Sequence, residues 1–265
     1  LTDATFEDGV TVIAKEMFYK CSALKNVYIP NTITQVKANA FDSCSALENV
    51  YLNGTLEDWL KITFDINNAK SQPLYYAENL YFNNELVTEV VIPETVTIIN
   101  TYAFYNYDKL TSVKIPSTVN RINKSAFAAC SNLTDLTIEE GVKTFGSFVF
   151  SDCDALTSVT IPASITSIGN NVFEECDALT KVVFAEGSTT TGVKTFYSCD
   201  ALKEVVLPIS MKTIGNNAFA YCKSLETISI PKNVTSIGTK AFEYCNALTN
   251  ITVDDENQQY SSEDG

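Results

Sequence analysis

The stretch Leu156-Thr157-Ser158-Val159-Thr160-Ile161-Pro162-Ala163-Ser164-Ile165-Thr166-Ser167-Ile168-Gly169-Asn170-Asn171-Val172-Phe173-Glu174-Glu175-Cys176-Asp177-Ala178 changes its apolar period along its length. Val159 and Ile161 alternate, as in a short strand with one buried face, and Pro162, which has no N–H to give to a ladder, ends it. Ile165 and Ile168, then Phe173, Cys176 and Leu179, repeat at three. The Phe-x-x-Cys-x-x-Leu portion predicts one helical or 3₁₀ turn, too short to stand without packing. Gly169 between the two parts predicts a left-handed corner, where Gly is least penalised.

The stretch recurs. Cysteines stand at 21, 44, 130, 153, 176, 199, 222 and 245, so six of the seven intervals are 23 residues. Each has Phe three residues before it (Phe18, Phe41, Phe127, Phe150, Phe173, Phe196, Phe219, Phe242) and Leu three residues after it. A ninth copy runs from Phe104 to Leu110 with Tyr107 in the cysteine's place. Gly146, Gly192, Gly215 and Gly238 share the phase of Gly169, with Asn100 and Asn123 in two further copies. A 23-residue unit cannot bury its apolar edge alone, but stacked units bury it against each other. The expectation is an α/β repeat solenoid of 23-residue rungs, with short parallel strands and short helical or 3₁₀ turns, right-handed, and with rungs ~4.8 Å apart. It forms one domain over residues 1–260, with 261–265 a tail leading to a further repeat.

The period breaks once. Counting strand ends at Ile29, Leu52, Ile92 and Ile115 puts a long, insert-bearing rung within 53–92. Thr55 to Ile62 reads as an N-capped helical turn with Trp59 and Leu60 inward, and Tyr81 to Val87 as a hairpin around Asn83-Asn84. Ser188 and Thr191 replace apolar positions in one rung, and Tyr107 replaces Cys in another, so both rungs are expected to be locally loose.

Composition narrows function more than it names it. Histidine is absent, which removes Ser-His-Asp and Cys-His nucleophile pairs, His-ligated metals and imidazole switches. With 18 Lys+Arg against 32 Asp+Glu, the net charge of −14 argues against nucleic acid. No apolar run is long enough for a membrane span, so direct membrane insertion is not expected. The cysteine column lies within disulfide distance from rung to rung, but one small residue per rung beside Phe and Leu reads as a reduced, buried column. Such a column cannot converge on a metal. The carboxylate pairs Glu139-Glu140, Glu174-Glu175 and Asp254-Asp255 read as a solvated acidic face. No catalytic, metal or cofactor-binding residue is assigned.

The outward strand positions are the functional candidates, since a repeated sheet offers an extended surface whose residues are free to vary. They include Asn26 and Tyr28, Asn49 and Tyr51, Lys114, and the small hydroxyl residues of the middle rungs. Tyr28 and Tyr51 are expected side by side, next to the insert with Trp59, and clustered surface aromatics suit protein or sugar contacts. The alternative for Trp59 is that it packs the insert onto its rung.

Units such as Leu156-Thr-Ser-Val-Thr-Ile-Pro162 and Val234-Thr-Ser-Ile-Gly-Thr-Lys-Ala-Phe242-Glu-Tyr-Cys245 resemble the BspA-like leucine-rich repeats of bacterial cell-surface proteins, over nearly the whole chain. The insert resembles a longer unit of that family. The resemblance implies an extracellular, surface-attached module for adhesion to host proteins or other microbes; since nothing in the sequence converges into a nucleophile-and-base arrangement, a noncatalytic module without cofactors is expected. Signal and anchor are expected outside this stretch. Protein is the first expectation for the partner; glycan recognition by Tyr28, Tyr51 and Trp59 is the alternative.

Overall fold

The computed structural model describes residues 1–262 of the chain, so positions 263–265 of the expected tail lie outside the described residues. The strands before each proline stack in parallel at a constant register. Val113 lies opposite Leu136, Val159 opposite Val182, and Ile228 opposite Ile251, each shifted by one 23-residue unit. The outcome is a solenoid of parallel strands. A second ladder of two-residue strands, such as Ile98–Ile99, Arg121–Ile122 and Thr144–Phe145, runs along another side.

Inside, the Phe column is continuous on either side of the insert. Phe104, Phe127, Phe150, Phe173, Phe196, Phe219 and Phe242 stack with centroids 5.2–5.8 Å apart and planes within 12°. Stacking of this kind adds to the apolar burial that drives folding. All eight cysteines are free thiols, and all but Cys21 are buried. From the second copy onward each thiol donates to the carbonyl of the Phe that begins the previous rung's motif. Cys176 reaches Phe150 O at 3.2 Å and Cys199 reaches Phe173 O at 3.1 Å.

The expected helical turns are not there. Among the described residues the helices are Leu56–Lys61, Ala69–Ser71 and Pro73–Tyr75, all in the insert. Around each Phe the chain makes open turns instead, with left-handed residues two before and two after it in all nine copies, such as Ser125 and Ala129 about Phe127. The reason is pitch. A helix with its side chains is roughly 10–12 Å wide and closes its hydrogen bonds on itself, whereas these rungs follow one another at half that spacing. The alternating turn sends its N–H groups to the next rung: Ser125, Phe127 and Ala129 donate to Ser147, Val149 and Ser151 carbonyls at 2.8–3.0 Å.

The phased glycines also have a different purpose from the expected one. Only Gly192 among them is left-handed, at φ +80°. Elsewhere the missing side chain makes room for the neighbouring rung: a Cβ on Gly169 would stand 2.5 Å from Gly146 C, and one on Gly215 1.8 Å from Gly192 O.

The insert is divided differently from the strand-end count. The strand Asn79–Phe82 continues the first sheet, pairing Asn49 with Asn79 and Tyr51 with Tyr81. It turns at Asn83 and Asn84, both left-handed as expected for this hairpin, into Glu85–Leu86. The next full rung opens at Glu89–Val91. Thr55 caps the helix Leu56–Lys61, as the sequence indicated, and the structure adds a reciprocal box with Asp58. Among the described residues, no helix is long and apolar enough to cross a membrane.

Candidate interaction surface

Strand alternation buries Val27, Ile29, Val50 and Leu52 and turns Tyr28 and Tyr51 outward. Parallel register then places equivalent residues directly over each other. Tyr28 and Tyr51 stack at 4.8 Å and 7°, and Tyr51 and Tyr81 at 4.7 Å and 12°. Beside the rings runs a column of amides. Asn79 donates to Asn49 Oδ1 at 3.0 Å, Asn49 to Asn26 Oδ1 at 2.9 Å, and Asn26 to the Asp3 carboxylate at 2.6 Å. Each ladder fixes side chains that would otherwise lose entropy on meeting a partner.

Tyr81 and Asn79 escape a count of strand ends from Leu52 to Ile92, because their strand lies inside that interval. The signal was present: Asn26-Val-Tyr28, Asn49-Val-Tyr51 and Asn79-Leu-Tyr81 are one motif three times.

The hairpin does more than add a third ring. Its tip, Asn83-Asn84, walls one side of a groove of about 310 Å³ whose other lining includes Phe6, Asp8, Tyr28, Tyr51 and Asn53. Burial between its neighbours raises the Tyr51 phenol above its ordinary pKa, and the phenols of Tyr81 and Tyr28 add to the effect, so it stays a neutral donor.

Trp59 has to be removed from the candidate surface. It is 1% exposed, packs against Phe64 and Phe82, and donates its indole N–H to Ala103 O at 2.9 Å. Its helix turns it inward because the buried face, with Trp59 and Leu60, lies against the next rung, where Asn100 also donates to Leu60 O at 3.0 Å. Lys114 is exposed but sits apart from the tyrosines and is paired with Glu139 at 3.2 Å.

The acidic pairs do not gather into a centre, and among the described residues no cluster of His, Cys, Asp or Glu has metal-binding geometry. Glu140 serves the backbone: although burial opposes it, bonds from the Ala163 and Ser164 N–H groups, both at 2.9 Å, hold its carboxyl below the usual range. The surface can therefore grip through shape, ring edges, phenols and amides.

This geometry is that of a leucine-rich repeat solenoid with an aromatic strip beside its hairpin. The profile of the BspA type leucine rich repeat region matches in six copies, over residues 1–80, 76–200 and 146–263, and the chain belongs to that family. Its structure resembles a leucine-rich repeat protein from Bacteroides ovatus, at 25% identity over 97% of this chain and 73% of that one, with a TM-score of 0.56. A leucine-rich repeat protein from Eubacterium ventriosum is similar at 22% identity over 100% and 86%, with a TM-score of 0.62. The pneumococcal vaccine antigen PcpA shares the fold at 20% identity over 96% and 72%, with a TM-score of 0.54. No curated protein matches the chain in sequence.

Proposed function

We propose that the chain is a noncatalytic recognition module of a bacterial cell surface, working extracellularly and binding a protein partner on host or neighbouring cells through the Tyr28–Tyr51–Tyr81 strip and its flanking asparagines. The observation that carries this reading is the prestacked, uncharged strip on a chain of net charge −14, walled by the hairpin that interrupts the repeat. Tyrosine with asparagine is the composition of protein-binding loops: rigid amphipathic rings for contact area and amides for adaptable hydrogen bonds. Family membership supports the location, as does the likeness to a vaccine antigen.

The glycan alternative finds less support. Sugar stacking needs open ring faces, and both faces of Tyr51 are covered by Tyr28 and Tyr81.

The test is an array of purified extracellular-matrix proteins and neutral glycans probed with this chain and with Tyr51→Ala. Protein binding weakened at least tenfold by the substitution is expected, as for a hot-spot aromatic. Binding to glycans alone, or protein binding that Tyr51→Ala leaves intact, overturns the reading.

A further inference from the structure

One rung departs from the repeat at three core positions together. Ser188, Thr191 and Thr195 stand where the preceding rung has Ile165, Ile168 and Val172, and where the next has Met211, Ile214 and Ala218. All three are buried, at 4, 0 and 1% exposure. The Thr191 hydroxyl is accounted for, accepting from Gly215 N–H at 2.9 Å and donating to Gly192 O at 3.3 Å. The other two are not: Ser188 Oγ and Thr195 Oγ1 are enclosed without a hydrogen-bond partner in the protein. A buried hydroxyl left unsatisfied is costly, and Ser188 is smaller than the Ile165 and Met211 of the neighbouring rungs.

The backbone changes at the same place. Gly192 alone among the phased glycines is left-handed, and a Cβ on it would stand 2.6 Å from Thr195 Oγ1, so the threonine hydroxyl lies against the bare glycine. The second ladder loses its strand here. Ser167–Ile168 ends one sheet, Thr213–Ile214 begins another, and a single bridge between Thr190 and Thr213 remains. The opposite side stays closed: Phe173, Phe196 and Phe219 stack at 5.5 and 5.6 Å, and Cys199 and Cys222 keep their bonds to Phe173 and Phe196 carbonyls.

We propose that the Ser188 and Thr195 hydroxyls bind ordered water inside the solenoid, making this rung a hydrated joint at which the second ladder opens while the Phe and Cys columns hold. Enclosed polar groups without partners are the setting in which buried water is retained, and stacked repeats open where a nearest-neighbour interface is weakest.

Two measurements test it. A high-resolution crystal structure is expected to show water within ~2.7–3.2 Å of Ser188 Oγ or Thr195 Oγ1; direct bonds from both hydroxyls to protein groups, with no water, overturn the proposal. In hydrogen exchange, the amides of 188–192 are expected to exchange at least tenfold faster than those of 165–169. The triple variant Ser188→Ile, Thr191→Ile, Thr195→Val should slow them, and the near-isosteric Thr195→Val alone is the milder check should the triple variant misfold. Equal exchange in the two rungs of the unsubstituted chain overturns the joint.

Discussion

The Tyr107 hydroxyl donates to Val87 O at 2.6 Å and accepts from Leu80 N–H at 3.2 Å, in the one copy of the motif that lacks its cysteine. Its rung is the opposite of loose. The rung before it carries the insert and has no Phe-x-x-Cys motif of its own. A phenol reaches further and ties the hairpin to the next rung, and burial pushes its pKa up to about 12. Tyr107→Phe should cost about 1–3 kcal/mol by leaving buried backbone groups unpaired. Tyr107→Cys, which restores the motif, should cost more, because a cavity is added to the lost bonds. Denaturant unfolding of the two variants checks the order; a Cys variant as stable as the Phe variant contradicts it.

Thiol reactivity should divide along the column. Burial raises Cys44 to about 11, and carries Cys153, Cys176 and Cys199 well above their ordinary value. Cys21 is only half-buried, unlike the other seven. Since the thiolate is the reactive form, alkylation of the native chain at pH 8 should label Cys21 first and leave the buried thiols untouched until guanidinium exposes all eight. Mass spectrometry after timed labelling decides this, and early labelling of Cys176 would contradict the closed column.

What the sequence showed plainly was whatever repeats by contact between equal side chains. Phe127 over Phe150, and Tyr28 over Tyr51, follow from one spacing and one rule of alternation. It concealed what depends on the gap between rungs. The Phe-x-x-Cys-x-x-Leu pattern has helical spacing, yet a helix is too wide for the pitch, and only the backbone around Phe127 shows the left-handed residues that replace it. Trp59 was ambiguous because an amphipathic turn does not say which neighbour its apolar face will meet. Tyr81 is hidden because its strand lies inside the insert, off the 23-residue phase of the strand ends.

An acidic solenoid should gain from discharge at one place. Burial raises the Asp154 carboxyl above its ordinary 3.8, and the neighbouring Asp177, Asp152 and Asp108 add to it. The folded chain thus holds this proton more tightly than the unfolded one. The associated destabilisation is full once pH is above the folded value, and fades as pH falls through it toward 3.8. Asp154→Asn should accordingly raise the melting temperature at pH 7 and have little effect near pH 3.5. A gain of equal size at both pH values would mean that charge is not the cause.

Glycine substitutions separate close approach from backbone handedness. Gly215 has no left-handed φ, but a Cβ there would stand 1.8 Å from Gly192 O, a backbone atom that cannot swing aside. Gly9 is the reverse case, with φ +93° and nothing within 4 Å of an added Cβ. Gly215→Ala should force two rungs apart and cost at least the roughly 1–3 kcal/mol of an overpacked core. Gly9→Ala should cost about 1–2 kcal/mol, the strain of a left-handed residue alone. Thermal unfolding of both variants measures the difference, and hydrogen exchange locates it. Loss of protection in Gly215→Ala should centre on the amides of Gly192 through Gly215, whereas Gly9→Ala should leave that region as it was. If the two variants lose stability equally and no protection changes between rungs, the glycine column is not there for rung contact.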